Sequence, residues 1–320
     1  MFFSTSAPLL LTAAGSIATI PLAASGIVFP DIEPVLIEIG PVAIRWYALS
    51  YILGILLGWW YLGKLNSPKY KVLSQRAYDD IILWIIGGIM IGGRLGYILF
   101  YNLDHYIQYP TEFIAVWRGG MSFHGGLLGV IMALFLMCKW HRLHFLSVTD
   151  RVACVAPIGL LLGRIANFIN AELYGRATDA PWGVIFPGEH FARHPSQLYE
   201  AFFEGLILLA IMALLFYRTS ARNYAGRLSG TFLLGYATAR FCIEFFREPD
   251  PQLGFLFAGA TMGQLLSVPM GLFGLYLILK SKPVTLPLIE EDKEDDKEDK
   301  PKNLRFGRKR KHYDEDEDFS

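Results

Sequence analysis

Seven long apolar runs constrain this chain more than any other feature. They cover Trp46 to Leu62, Ile81 to Tyr101, about Met121 to Met137, Val152 to Ile169, Leu198 to Tyr217, Leu228 to Phe246 and about Ala258 to Leu279. Most approach the roughly 20 residues that a helix needs to cross about 30 Å of hydrocarbon, with the first and third near the lower limit. Lipid offers no partner for backbone N–H and C=O groups, so such runs predict helices that satisfy themselves. Soluble domains carry about 25% charged residues; here the fraction is 18%. The expected fold is an all-α polytopic membrane protein with seven transmembrane helices within residues 31–282, between a 1–30 extension and a 283–320 tail.

Orientation follows from the basic residues. The tail from Glu290 to Ser320 holds 13 of the 29 acids and 9 of the 29 bases, so overall neutrality hides a basic excess in the rest of the chain. Lys64, Lys69, Lys71, Arg76, Lys139, Arg142, Arg151, Arg218, Arg222, Arg227, Lys280 and Lys282 follow spans 1, 3, 5 and 7. The opposite side has Arg45, Arg118, Arg176, Arg193 and Arg247. By the positive-inside rule the first group is cytoplasmic, which places the N-terminus outside and the C-terminus inside.

The ends say less. Ala7 to Val28 is apolar but lacks the basic start of a secretory signal, and an interfacial helix or a later start codon fits equally. The tail reads as disordered, and its block from Arg305 to Lys311 could touch anionic cytoplasmic lipid or simply be solvated. Cys138, Cys154 and Cys242 lie in or beside apolar segments without metal-ligand spacing and are expected in the core. His141 and His144 lack a third ligand, so no metal site is expected. Gly88, Gly92 and Gly96, with Gly125 and Gly129, form small-residue seams for close helix packing.

Depth turns topology into a functional argument. The assigned directions place Tyr47, Arg94, His124, Arg164, Asn167, Arg240, Glu244 and Arg247 in the outer leaflet or just beyond it. A charge within a span costs about 2.5 kcal/mol or more on the insertion scale and usually faces a cavity or a partner. Arg164 and Asn167 share a helical face, as do Arg240, Glu244 and Arg247. Snorkelling or structural ion pairs remain alternatives. Arg94, Arg164 and Arg240, from three spans, exceed the acids evident at that depth, which predicts a bound anion such as a phospholipid phosphate. His124 precedes Gly125 and Gly126, where a ligand or backbone can approach closely, and it can accept a proton near neutral pH.

The segments Gly119 to Gly129, Gly163 to Arg176, His194 to Glu200 and Arg240 to Arg247 resemble the bacterial prolipoprotein diacylglyceryl transferase family, as do Ile44-Arg45-Trp46-Tyr47 and Gly92 to Tyr97. The resemblance covers about Val35 to Leu279. It implies a seven-span inner-membrane enzyme, without metal or other cofactor, whose active site faces the outer leaflet. Its reaction would move the diacylglyceryl group of phosphatidylglycerol onto the lipobox cysteine thiol of a prolipoprotein, forming a thioether and releasing glycerol phosphate. The matching positions are Tyr47, His124, Arg164, Asn167, Glu172, Gly175, Arg240 and Glu244, with Gly125 beside the histidine. On this basis Arg164 and Arg240 are expected to hold the phosphate, and His124 to accept the thiol proton. Asn167, Glu172 and Tyr47 would orient the headgroup, and Glu244 would position Arg240. The loop from Ala177 to Arg193 is short for the family. No nucleic-acid partner is expected. The competing reading is an outer-leaflet anion or lipid transporter without transfer chemistry, which predicts internal repeats that the sequence does not show.

Overall fold

The computed structural model describes residues 26–39, 42–249, 254–256 and 259–284. Most of the 1–30 extension and the whole of the acidic and basic tail lie outside them, as do the expectations placed there. The main helices run, in order, α1 (Trp46–Leu65), α2 (Gln75–Tyr101), the short α3 (Leu103–Gln108), α4 (Phe123–Trp140) and α5 (Phe145–Ile169). Then come α6 (Ser196–Glu200), a π-helical turn (Ala201–Ile207) and α7 (Leu208–Arg218), which form one continuous rod, followed by α8 (Arg227–Ile243) and α9 (Met262–Lys280).

Six of these helices are long and apolar enough to cross a membrane: α1, α2, α4, α5, the α6–α7 rod and α9. The molecule is a helical, polytopic membrane protein. The run expected as a sixth crossing from Leu228 to Phe246 folds as α8, whose 17 residues end at Ile243. At 1.5 Å per residue it spans about 26 Å, so a crossing here would draw on the turn that follows. Other bounds shift too. α5 begins seven residues before Val152, and α9 begins at Met262 rather than near Ala258.

Among the described residues, three small strand pairs accompany the all-α architecture. Val35–Ile39 (β2) pairs antiparallel with Val42–Arg45 (β3) immediately before α1. Ile27–Val28 (β1) pairs in parallel with Val184–Ile185 (β4), so the end of the first apolar run is tied to the loop after α5. Val35, Ile37 and Ile39 are β-branched residues of the kind enriched in strands.

Glycine seams set the helix spacing. Gly88, Gly92 and Gly96 of α2 lie against Gly125 and Gly129 of α4, running antiparallel, and a Cβ on Gly129 would stand 2.0 Å from the Gly88 carbonyl oxygen. A second seam joins α8 to α9, where a Cβ on Gly230 would meet the Gly274 carbonyl oxygen at 2.6 Å. Without a hydrophobic force between helices in lipid, such backbone contact supplies the attraction.

The start of α8 is fixed from another helix. Buried Asp150 of α5 accepts hydrogen bonds from the Gly226 and Ser229 backbone N–H groups, at 2.9 and 2.7 Å, and from the Ser229 hydroxyl. It thereby caps the orphan donors at the helix start. Nearby, Leu65, Cys154, Leu208, Met212, Phe216 and Leu228 form a buried apolar cluster. Of the three cysteines expected in the core, Cys138 and Cys154 are buried and Cys242 is exposed. His141 Nε2 lies 3.1 Å from Asp80, so it ties α4 to α2.

Substituting Gly129→Val should separate α2 from α4. The expected cost is about 1–3 kcal/mol, the range for overpacking, read as a lower unfolding temperature in detergent. An unchanged transition would show that the seam does not hold the pair together.

Candidate active site

Alternating helix directions bring the C-terminal ends of α2, α5 and α8 and the N-terminal ends of α1, α4, α6 and α9 to one end of the bundle. There the polar residues singled out above take up three different positions. Only some of them meet.

At the centre is Glu200, the last residue of α6, with none of its side chain exposed. Its Oε1 accepts hydrogen bonds from Arg240 Nη1 and from Arg247 Nη1, the latter at 2.6 Å. Its Oε2 lies 3.2 Å from Arg164 Nε. That third contact has the distance of an ion pair without hydrogen-bond alignment. Glu244 adds a second bridge, 3.1 Å from Arg240 Nη2 and 3.4 Å from Arg247 Nε. Glu204 lies 3.8 Å from Arg164 Nη2. The helical spacing of Arg240, Glu244 and Arg247 thus serves a network that crosses from α8 to α5 and α6.

The expected surplus of positive charge is therefore corrected. Arg164, Arg240 and Arg247 face Glu200, Glu204 and Glu244, three cations against three acids. Arg94 has a separate task. It is buried and donates to the carbonyls of Glu112, Phe113, Gly119 and Gly120, and its guanidinium lies over the Tyr106 ring. It holds the segment between α2 and α4 in place. Glu204 was missed in the sequence and Glu200 was noted only within its motif. Their four-residue spacing inside an apolar run was the available signal.

Exposure is unequal across the cluster. Glu200 and Glu204 are 0% exposed, whereas the side chains of Arg164 and Arg240 are 19% and 16% exposed. The two carboxylates are sealed, while part of each of these arginine side chains remains exposed. Arg164 Nη1 points at Asn167 Oδ1 over a long 3.5 Å, while Asn167 Nδ2 donates to Glu172 Oε1 at 2.7 Å. This geometry depends on strained backbone. Ala171 and Leu173, on either side of Glu172, have φ of 52° and 59°. A left-handed non-glycine residue costs roughly 1–2 kcal/mol, and Gln197 and Ser196 help to hold the turn by donating to the carbonyls of Glu172 and Leu173.

Gly175 lies where two segments touch. A Cβ there would stand 2.2 Å from the Phe246 carbonyl oxygen, and Gly175 bridges to Arg247. Gly125 is filled by α2 in the same way, with a Cβ 2.4 Å from the Gly92 carbonyl oxygen. At both glycines the close neighbour is backbone of this chain, which is one of the two alternatives left open at Gly125. Arg176 closes the turn by donating to the carbonyls of Arg247 and Glu244.

Tyr47, one residue into α1, accepts a hydrogen bond from the Tyr51 hydroxyl at 3.0 Å, and Tyr51 lies within electrostatic reach of Arg164 and Glu172. His124 stands apart. It is exposed at the start of α4, its ring edge-on to Phe123, with no hydrogen bond to the arginine cluster among the described residues. Its location agrees with the expected end of the bundle, but the structure does not bring it into the network. The short loop after α5 is pinned by Arg193, which lies 3.0 Å from Glu189 and 3.1 Å from Glu248. The Arg193 guanidinium holds the Glu189 carboxyl below the usual carboxylate range, and burial lowers the His194 imidazole.

A family model described as prolipoprotein diacylglyceryl transferase matches residues 34–280, which include every residue of this cluster. The chain belongs to that family. It is 52% identical over 259 residues to the "Phosphatidylglycerol--prolipoprotein diacylglyceryl transferase" of Azospirillum brasilense, covering 80% of this chain and 97% of that protein. The proteins of the same description from Rhodospirillum rubrum and Rickettsia felis are 52% and 51% identical. They cover 81% and 80% of this chain, and 97% and 99% of their own lengths. Membership of a transferase family favours group transfer over the transporter alternative.

Removing one member of a buried pair leaves an uncompensated charge, at a cost of about 3–5 kcal/mol. Glu200→Ala should therefore lower stability by that order, because Arg240 and Arg247 lose their shared acceptor. Chemical unfolding in detergent tests this, and a loss under about 1 kcal/mol, the range of exposed pairs, would show the cluster to be solvated.

Proposed function

We propose that this chain transfers the diacylglyceryl group of phosphatidylglycerol to the lipobox cysteine thiol of prolipoproteins, the first step of lipoprotein maturation. The carrying observation is that Arg164 and Arg240, partly exposed, are paired with the fully buried Glu200 carboxylate in a chain of the transferase family. The topology that suits this reaction has seven crossings, with α8 and its following turn as the sixth. The N-terminus lies outside and the C-terminus in the cytoplasm of a bacterial inner membrane. The arginine cluster then faces the outer leaflet, where a secreted peptide and a lipid headgroup can meet.

In this reading the thiolate sulfur attacks the glyceryl carbon that carries the phosphate. The carbon–oxygen bond breaks, its electron pair passes to the phosphate oxygen, and glycerol phosphate departs. Arg164 and Arg240 stabilise the charge that grows on that group, and arginine suits the task because its planar fork can bond two phosphate oxygens. Glu244 and Glu200 aim Arg240. Asn167, held by Glu172, and Tyr47 orient the headgroup. His124 receives the thiol proton, and with no hydrogen bond to its ring among the described residues a ring nitrogen is ready. Its separation from the cluster fits a substrate that bridges the two, with sulfur on one side and phosphate on the other. Gly125 and Gly175 keep the backbones behind the site in contact. The chemistry needs no cofactor, because the substrates supply both the nucleophile and the leaving group.

Full-length protein in vesicles containing phosphatidylglycerol should convert a lipobox peptide to its diacylglyceryl thioether, detected by mass spectrometry. Arg240→Lys keeps the charge but loses the two-pronged geometry, and kcat/KM should fall about 10²–10³-fold, as when an oxyanion donor is lost. His124→Ala should lower kcat about 10²–10⁴-fold, the usual worth of a general base. Near-normal turnover in either variant would remove that residue from its role, and binding without thioether product would overturn the transfer reading.

A further inference from the structure

Glu204 has no part in the roles assigned above, yet it is the most awkwardly placed charge in the cluster. It sits four residues beyond Glu200 in the π-helical turn Ala201–Ile207, with 0% exposure. Neither carboxyl oxygen accepts a hydrogen bond among the described residues. Its ion-pair contact is Arg164 Nη2, at 3.8 Å. An ionised carboxyl buried without donors is costly and is normally neutralised or paired. Single π-turns are rare and recur at functional sites. Here the turn is wedged against α5, since a Cβ on Gly205 would stand 2.7 Å from Leu161 Cβ. Glu204 is therefore held facing the cluster.

The groups that face Glu204 are Arg164 of α5, Glu200 of α6, Tyr236 and Arg240 of α8, and Arg247 just after α8. With Glu244 included, the three arginines and three glutamates balance. A phosphodiester headgroup seated on Arg164 and Arg240 would add a fourth negative charge where the dielectric is low and net charge is penalised. Glu200 is engaged by three arginines, two of which donate hydrogen bonds to its Oε1. Glu204 has one cation in ion-pair contact, Arg164 at 3.8 Å, and accepts no hydrogen bond among the described residues. We propose that Glu204 takes up one proton from solvent when an anionic phosphodiester binds at Arg164, and releases it when the product leaves. It acts as a positioning residue. Once neutral, it frees the Arg164 guanidinium to turn toward the phosphate while the cluster stays balanced.

The proposal rests on reading Arg164 and Arg240 as the anion site, and the experiment separates the two. Binding of phosphatidylglycerol to full-length protein in detergent is measured as a function of pH. For the wild type, affinity should fall by up to about tenfold per pH unit above the titration of Glu204, as linkage to one proton requires. Glu204→Gln, neutral and of the same shape, should bind with a flat profile. A second measurement uses the unsubstituted protein. Adding phosphatidylglycerol in weakly buffered solution should remove about one proton per bound lipid from the medium. Absence of proton uptake, or an unchanged pH slope in Glu204→Gln, would overturn the proposal. If instead Arg164→Ala binds the lipid as tightly as the wild type, the anion-site reading itself is lost.

Discussion

Glu200 meets three arginines in a place that water does not reach, and the rest of the structure is arranged to make that tolerable. Breaking such a contact is costly because the partner charge is stranded. Arg164 comes from α5, Arg240 from α8 and Arg247 from the turn after it. One carboxylate therefore ties together elements that are far apart in sequence. Partial exposure of the Arg164 and Arg240 side chains, with Glu200 and Glu204 sealed, gives the cluster a face that another anion can meet.

The remaining fold supplies position. Asp150 fixes the start of α8 at the opposite end of the bundle, so Arg240 arrives at a set height. The two glycine seams bring α2 to α4 and α8 to α9 within backbone contact. Arg94 spends its donors on four carbonyls of the segment that leads to His124, and so fixes how α4 begins. The turn from Ala171 to Arg176 stores backbone strain and returns the chain to the end of α8. Strain of this kind persists where surrounding contacts impose it, and it clusters at functional sites.

Much of the fold was legible because lipid leaves few alternatives. Apolar runs of the right length gave the helices, and the spacing of Gly88, Gly92, Gly96, Gly125 and Gly129 gave the α2–α4 contact. The ends were less legible. Local hydrogen bonding sets them, so α5 starts at Phe145 and α8 ends at Ile243. The strand pairs before α1 and with the loop after α5 were overlooked beside the stronger helical signal. At the site, Arg164, Asn167, Arg240 and Glu244 could be read as polar groups on the faces of apolar helices, and Glu172 from the resemblance alone. The charge balance could not, because Glu200 was read for its motif's resemblance rather than for depth, and Glu204 lies in the apolar run just beyond that motif. Arg94 shows the converse limit. A buried arginine announces that it needs partners, but sequence does not say whether they are carbonyls or a ligand.

The account places a lipid phosphate between Arg164 and Arg240, with Glu200 holding both from behind. The most direct measurement is an electron cryomicroscopy structure of the full chain in nanodiscs that contain phosphatidylglycerol. The account predicts headgroup density within hydrogen-bond reach of both guanidinium groups, at the end of the bundle where α1 and α4 begin. Headgroup density confined to the opposite end, beside Lys280 and Lys282, with the arginine cluster closed to lipid, would contradict it.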